Sequence, residues 1–358
     1  MKMGVKRQLL VPAAVLCLLL TGCDTLLERD YESVRLHVES GSADPASLQA
    51  EDYRELVSAV LNLVTHRVED GAIRLSNYEG DPERDLAAAC VEVAREDPMG
   101  AFAVDYISHS LSRVVSHYEA RLQISYCRTA EEMNRVLSVT GSSAIKAELC
   151  RGLSDFSPRV TLRISYFGED ESYIRGLVEQ AYYSTPQTAF GMPEVTVTLY
   201  PDSGIQRIVD LELTYPDRRE ILLEKRDMLL TAADAVLEEV REAGGELPLL
   251  LWQTLRSRVR YMPEPERGTA YDALLHGEGS REGLALAYQL LCSRAGLSCV
   301  VVRGEANSPT AFWNIVTTSH GSRHVDCTQE DGYGLTDAEM TELGQYHWGS
   351  GYPICRND

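Results

Sequence analysis

Apolar residues recur at helical or strand spacing through most of the chain. Between residues 51 and 70 they fall at i, i+4, i+7 and i+8 from Leu56, which predicts an amphipathic helix. Residues 118–126 instead alternate apolar and polar side chains, which is typical of a strand with one buried face. A long helix is predicted over 222–243 and ends at Gly244.

The middle of the chain repeats one order of predicted elements, β-α-β-β. The first copy has strands at 72–76, 101–107 and 118–126 and a helix at 81–96; the second has strands at 160–166, 195–199 and 208–215 and a helix at 171–183. We expect the two copies to form one sheet with helices on one face, so the predicted fold class is α+β.

The first residues have the pattern of an export signal. Positive charges within residues 2–7 precede a 12-residue apolar run, 9–20, which ends in Leu20-Thr21-Gly22-Cys23. This string resembles a bacterial lipobox, which implies cleavage after residue 22 and lipidation of Cys23 with chains such as palmitate. The protein would then be anchored on the extracytoplasmic face of a bacterial membrane. The alternative is an ordinary secretory peptide with an incidental Cys.

Composition excludes several classes of protein. The chain has 358 residues, of which 44% are hydrophobic and 25% charged, and this argues against disorder, collagen and a multi-span membrane protein. The formal net charge is −20. Nucleic acid is therefore not an expected partner, because no basic stripe is present to contact phosphates. An acidic surface beside an anionic membrane suits a domain that is tethered and held off the lipid.

The sequence contains nine cysteines, and seven remain after Cys17 is removed with the signal and Cys23 is lipidated. An extracytoplasmic compartment permits disulfides, and we expect Cys327 to pair with Cys355, although connectivity stays open from sequence alone. Neither a C-x-x-C nor an H-E-x-x-H motif occurs, so the sequence predicts no metal site and no cofactor.

Four strings near the C-terminus occur in one order: Gly279-Ser280-Arg281-Glu282-Gly283, Val301-Val302-Arg303-Gly304, Ala311-Phe312-Trp313-Asn314-Ile315-Val316 and His324-Val325-Asp326-Cys327-Thr328. Their order and spacing resemble the transglutaminase-like superfamily. The resemblance implies a papain-like α+β core over 249–358. The predicted organisation is a signal peptide at 1–22, a tether at 23–50, an α+β region at 51–225, a connecting helix at 226–248 and this domain.

The resemblance also implies where a catalytic triad would lie. The family's Cys nucleophile corresponds to Ser280, its His to Ala311 and its Asp to Asp326. Two of the three functional groups are therefore replaced. A serine hydroxyl needs a general base within hydrogen-bond reach, and an alanine side chain supplies none. Serine is also a preferred residue immediately before a helix, so Ser280 has an ordinary structural role available.

His324 and His276 are candidate substitute bases, because His324 lies two residues before Asp326 and His276 four residues before Ser280. The sequence favours a membrane-anchored lipoprotein whose transglutaminase-like domain is inactive and binds a peptide or a cell-envelope polymer in the degenerate cleft. Two alternatives stay open. One is an active acyltransferase or hydrolase with a relocated base, and the other is a structural or assembly protein of the cell surface.

Overall fold

The structure is a computed structural model and describes residues 35–36, 48–263, 265–307 and 309–356. It combines helices with several sheets, which confirms the predicted α+β class. The signal at 1–22, the lipidation residue Cys23 and most of the tether lie outside the described residues. Across the described ranges, no helix is both long enough and apolar enough to cross a bilayer.

The first repeat unit is built around a four-stranded sheet. Its elements are β2 (Gln49–Ala50), α1 (Tyr53–Thr65), β3 (Asp70–Leu75), α2 (Pro82–Arg95), α3 (Pro98–Ala103), β4 (Val104–Val114) and β5 (His117–Tyr126). The strand order is β2-β3-β5-β4, with β2 parallel to β3 and the other pairs antiparallel. Asp52, Asp81 and Asp97 begin the three helices, because each carboxylate accepts backbone N–H groups of the first turn.

The second repeat unit has the same topology. A short helix, α4 (Ala130–Asn134), leads into β6 (Leu137–Val139), α5 (Gly141–Ser154), β7 (Arg159–Ser165), α6 (Glu171–Tyr182), β8 (Glu194–Tyr200) and β9 (Gln206–Thr214). Its strand order is β6-β7-β9-β8, and β1 (Arg35–Leu36) adds an outer strand beside β6. The predicted β-α-β-β order is present in both units, and each unit also has a strand and a helix before it.

The expectation that both copies share one sheet is wrong. Each unit forms its own sheet, because its first strand pairs within its own copy, beside β3 in one unit and beside β7 in the other. The first unit also closes its own hydrophobic core around Leu56, Ile73 and Leu86. Ile208 of β9 joins that core, so the two units pack together there.

The C-terminal region is a five-stranded antiparallel sheet with helices. It comprises α7 (Arg219–Ala243), α8 (Leu247–Arg258), β10 (Arg260–Tyr261), β11 (Glu278–Gly279), α9 (Arg281–Arg294), β12 (Ser298–Ala306), β13 (Thr310–Thr318), β14 (Gly321–Val325), β15 (Tyr333–Leu335), α10 (Asp337–Gly344) and β16 (Tyr346–Trp348). The sheet order is β15-β14-β13-β12-β16. The sheet therefore has β13 at its centre.

Helix α9 is the centre of this region. Its residues from Gly283 to Cys292 are all buried, which is the signature of a helix surrounded by protein. One large core cluster contains Leu286 of α9 together with Leu162 of β7 and Leu229 of α7. The second repeat unit and the C-terminal region therefore share one hydrophobic core rather than forming two separate ones.

A second, small core cluster belongs to the C-terminal sheet. Side chains alternate between faces along β13, so Val316 belongs to the large cluster and Ile315 to the small one. The members of the small cluster are Val302, Ala306, Ala311, Trp313, Ile315, Met340, Tyr346 and Cys355.

Two helical glycines provide a test of this packing. A Cβ at Gly283 would lie 2.5 Å from the Arg267 carbonyl oxygen, so Gly283→Ala should lower the free energy of unfolding by about 1–3 kcal/mol. The matched control is Gly176→Ala in α6, where a Cβ meets no atom within 4 Å. That change should raise stability by about 0.5–1 kcal/mol. Urea denaturation of both variants measures the shifts, and shifts of the same sign would contradict the packing of α9.

Candidate functional site

Ser280 begins α9 and acts as its N-cap. Its backbone is extended, and its Oγ accepts a hydrogen bond from the Gly283 N–H at 3.3 Å. Its own N–H donates to the Arg267 carbonyl at 2.8 Å. The residue is only 6% exposed. Among the described residues, no imidazole or carboxylate is hydrogen-bonded to the Ser280 hydroxyl.

Ala311 lies on β13 opposite Gly304 of β12. It is buried in the small core cluster together with Trp313 and Tyr346. The methyl group fills apolar space and offers neither a donor nor an acceptor. At this position the side chain contributes packing and no proton transfer.

Asp326 lies directly after β14, is fully buried, and has both carboxylate oxygens hydrogen-bonded. Oδ1 accepts from the Thr328 N–H at 2.7 Å and from the Thr328 hydroxyl at 2.6 Å. Oδ2 accepts from the Tyr346 hydroxyl at 2.6 Å. The Arg281 guanidinium lies 3.7 Å from Oδ2 and donates to the Tyr346 hydroxyl at 3.1 Å. This buried charge is therefore paired and hydrogen-bonded, as a carboxylate in a protein interior must be.

Tyr346 is the hydrogen-bond donor to Asp326 Oδ2. Burial and the neighbouring Asp326 carboxylate raise the pKa of Tyr346 to about 12, so its hydroxyl stays protonated and acts as a donor at neutral pH. Arg281 directly follows Ser280 and donates to the Tyr346 hydroxyl. Tyr346 donates to Asp326 and belongs to the same core cluster as Ala311. These contacts place Asp326 and the surroundings of Ser280 and Ala311 in one region.

Sequence reasoning did not identify Arg281 and Tyr346 as parts of this site. Arg281 lies in the Gly279–Gly283 string, but Tyr346 lies beyond all four strings and 65 positions after Arg281, and nothing in the sequence indicates that they meet. Their contact depends on β16 pairing with the end of β12, which brings Tyr346 opposite Ala306.

His324, a candidate base, is fully buried and both of its ring nitrogens are engaged. Trp313 Nε1 donates to Nδ1 at 2.9 Å, so the proton of the neutral ring is on Nε2, which donates to Asp337 at 2.9 Å. His324 and Asp326 are not hydrogen-bonded to one another, because Asp326 turns away after the strand to bond Thr328. Desolvation lowers the pKa of His324, and the Asp337 carboxylate opposes that effect.

His276, the other candidate base, lies at the end of a short π-helical turn, Asp272–His276. Its Nδ1 is 3.2 Å from the Asp272 carboxylate and 3.4 Å from the Arg267 guanidinium. The ring stacks edge-on against Tyr271. Its described partners belong to this turn and its neighbourhood, and Ser280 is not among them.

The expected disulfide between Cys327 and Cys355 is not formed, because both thiols are free. Cys327 belongs to the large core cluster and Cys355 to the small one, so the two side chains are buried in different parts of the interior. Burial raises the pKa of Cys327 well above its usual value and that of Cys355 to about 12. Neither thiol has the depressed pKa of a reactive cysteine.

In the part of the chain that the structure describes, one group of side chains has the spacing of a metal site. The ligand atoms of His324, Asp337 and Cys355 lie within 4.8 Å of one another. The hydrogen bonds do not fit a metal, because the Trp313 N–H leaves Nε2 of His324 protonated, and a coordinating nitrogen must carry a lone pair. The raised pKa of Cys355 also keeps the thiol protonated. These residues form a hydrogen-bonded part of the core.

The second repeat unit covers the first turn of α9. Tyr183, which ends α6, donates to the Glu282 carboxylate at 3.0 Å, and its ring lies 5.6 Å from that of Phe312. Desolvation raises the pKa of Glu282, and the Tyr183 hydrogen bond partly offsets this rise. Glu282 lies two residues after Ser280, and Phe312 directly follows Ala311. Both therefore contact a residue at the end of a helix from the middle of the chain.

Comparison with known proteins gives limited similarity. No protein-family model and no curated protein matches the chain. Among solved structures, a transglutaminase is similar with 12% identity and a TM-score of 0.28, over 48% of this chain and 52% of that one. A candidate protease from Parabacteroides distasonis is similar with 11% identity and a TM-score of 0.24, over 80% of this chain and 44% of that one.

This chain therefore spans about half the length of each of those two proteins. TM-scores this low assign neither a fold nor an activity to it.

Tyr346→Phe tests the contact with Asp326. Removing the hydroxyl leaves a buried carboxylate oxygen without its closest donor, so the free energy of unfolding should fall by about 1–3 kcal/mol. Tyr106→Phe is the matched control, because Tyr106 is 56% exposed and its change should stay within about 0.5 kcal/mol. Urea denaturation measures both, and equal losses would contradict the role of the Tyr346 hydroxyl.

His324→Gln tests the buried imidazole. Because the folded-state pKa of His324 is lowered, the unfolded chain takes up this proton first as the pH falls. Wild-type stability should therefore decrease as the pH falls from about 6.5 to the lower folded-state pKa. Above about pH 6.5, the contribution of neutral His324 to stability is fully present. Urea denaturation at about pH 7.5 and about pH 5 should show a smaller loss in the variant than in the wild type. An identical loss would mean that His324 titrates alike in both states.

Proposed function

We propose that this chain is an extracytoplasmic lipoprotein with a transglutaminase-like domain that has lost catalysis and binds a peptide or a cell-envelope polymer. One observation carries the proposal: the buried Asp326 carboxylate accepts from Thr328 and the Tyr346 hydroxyl, and no imidazole is among its described partners. Ala311 is buried in the same cluster as Tyr346, and no described imidazole or carboxylate is hydrogen-bonded to the Ser280 hydroxyl. Metal ions and cofactors have no role in this proposal.

The N-terminal sequence supports the location. The lipobox-like string ending at Cys23 indicates a lipid anchor, and residues 23–50 would then serve as a tether. The net charge of −20 keeps the folded part away from an anionic membrane surface. A binding protein in this place reaches polymers and peptides outside the cytoplasmic membrane.

The region around Ser280, Ala311 and Asp326, which we name the vacated site, has features of a binding surface. The Arg281 side chain is partly exposed, with 25% of its surface accessible, and it is held in place by the Tyr346 hydroxyl. Tyr261 on β10 is 41% exposed and pairs with Gly279, which is two residues before Arg281. A fixed guanidinium beside an exposed aromatic ring suits an acidic or amide-rich ligand, since arginine binds carboxylates through paired N–H groups.

A structural or assembly role is the second candidate. The β4–β5 hairpin carries Tyr106, Val114 and Val115 as exposed apolar side chains, and Val115 at its tip is 96% exposed. Exposed apolar groups gathered on one element are a typical feature of contact surfaces between proteins. This role requires a partner at the hairpin and no ligand at the vacated site.

The experiment uses the full-length lipidated protein in detergent. Mass spectrometry should detect no hydrolysis of a glutamine-containing peptide and no incorporation of an added amine, and Ser280→Ala should behave identically. In parallel, the protein should co-sediment with insoluble peptidoglycan, and Tyr261→Ala should reduce the bound fraction by at least about fivefold.

Tyr106→Ala is the matched control, because it removes an exposed tyrosine from the hairpin and should leave co-sedimentation at the wild-type level. Turnover that Ser280→Ala abolishes would establish an active enzyme instead. Absence of sedimentation, together with loss of a protein partner in the Tyr106→Ala variant, would establish the assembly role.

A further inference from the structure

Strand β4 (Val104–Val114) lies at one edge of the first repeat unit's sheet. It pairs with β5 on one side, and among the described residues no strand pairs with its other side, which we name the β4 edge. The strand has 11 residues, and all but three of them are exposed. Natural proteins usually protect a long edge with lysine, proline or bulges, because its N–H and C=O groups can pair with another chain. β4 has neither lysine nor proline, and its bulge lies at its start, between Val104 and Tyr106.

The hydrogen bonds of β5 show which backbone groups of β4 point to the open side. The Ile124 N–H donates to the carbonyl of Glu69, which directly precedes β3. Successive residues of a strand bond in opposite directions, so the N–H and C=O groups of Gln123 face β4. Gln123 pairs with Ser108, so Ser108 and every second residue from it bond β5. The groups that point to the open side therefore belong to Ile107, His109, Leu111 and Arg113.

The side chains along the β4 edge are self-complementary. We consider a second copy whose β4 runs antiparallel to the first, with a two-fold axis at His109. Ile107 of each copy then faces Leu111 of the other, so two half-buried apolar side chains meet. Asp105 of each copy faces Arg113 of the other, so an acid meets a base at both ends. Moving the axis by one residue in either direction separates Asp105 from Arg113.

The distribution of charge also favours association at this place. The formal net charge of the chain is −20, so two copies repel one another overall. The β4–β5 hairpin, 104–126, is formally neutral, because it has two acidic and two basic side chains. The same hairpin exposes Tyr106 by 56% and Val114 by 39%. Contact between two hairpins therefore covers apolar surface without bringing net negative charges together.

We propose that two copies of this chain associate by antiparallel pairing of their β4 edges, with the two-fold axis at His109. The outward N–H and C=O groups of each β4 bond those of the other, so the two four-stranded sheets become one continuous sheet. This inference goes beyond the proposed function. It concerns a different surface and does not depend on the vacated site.

The test measures the dimer Kd of the full-length chain by sedimentation equilibrium in density-matched detergent. The wild type should show a reversible monomer–dimer equilibrium. Arg113→Asp should raise the Kd at least about fivefold, because like charges then face one another at both ends. Combining it with Asp105→Arg should restore the Kd to within about twofold, because the two charges are exchanged.

Arg121→Asp is the matched control for net charge. Arg121 is an exposed residue of the same hairpin but lies on β5, one strand away from the β4 edge. Its replacement changes the charge of the chain by the same amount as Arg113→Asp. The dimer Kd of this variant should stay within about twofold of the wild-type value.

His109→Pro tests the backbone pairing itself. It removes an N–H that points to the open side and places a proline ring at the two-fold axis, so it should abolish dimerisation. Proline is tolerated on an edge strand where the N–H faces solvent, and circular dichroism measures whether the variant is folded. If it is unfolded, the charge variants decide the question, because they leave the backbone unchanged.

A wild type that stays monomeric up to about 100 μM would overturn the inference. So would unchanged dimerisation in folded His109→Pro or in Arg113→Asp, or a double variant that dimerises no more tightly than Arg113→Asp. If a photo-cross-linker at His109 captures a different protein and the wild type is monomeric, the β4 edge belongs to that partner and the inference is wrong. None of these results changes the expected binding of peptidoglycan, so the proposed function stands or fails separately.

Discussion

A buried carboxylate constrains the C-terminal region more than any other single group. Asp326 is fully buried, and an ionised carboxylate in an apolar interior is stable only when its oxygens are paired or hydrogen-bonded. Thr328 satisfies one oxygen and Tyr346 the other, while Arg281 supplies the compensating charge. Both oxygens of Asp326 are therefore engaged within the protein interior, and the contacts of this side chain stabilise the fold.

The central helix α9 joins the middle of the chain and the C-terminal region in one hydrophobic core. It is buried on all sides, and the large core cluster extends from its Leu286 into β7 of the second repeat unit. Tyr183 at the end of α6 also bonds Glu282 in the first turn of α9. The first turn of α9 is therefore shaped in part by a helix from the middle of the chain.

Local patterns predicted the elements well. The apolar spacing that starts at Leu56 and the alternation over 118–126 correspond to α1 and β5, because 3.6-residue and two-residue periods follow directly from backbone geometry. Topology was harder: the sequence could not show that each copy would complete its own sheet. Strand pairing depends on which sheet edges the helices leave uncovered, and this is a property of the folded chain. In addition, β2 and β6 are too short to show an alternating apolar pattern, so the sequence did not predict them.

The sequence by itself determined the α+β class, the repeated order of elements and the acidic charge, because these depend only on which residues occur and at what local spacing. The tertiary structure alone decided that Tyr346 and Arg281 meet Asp326 and that Cys327 and Cys355 stay apart. Those contacts join residues far apart in the chain. They exist only because burying the apolar faces of α9 and the C-terminal sheet brings these side chains together.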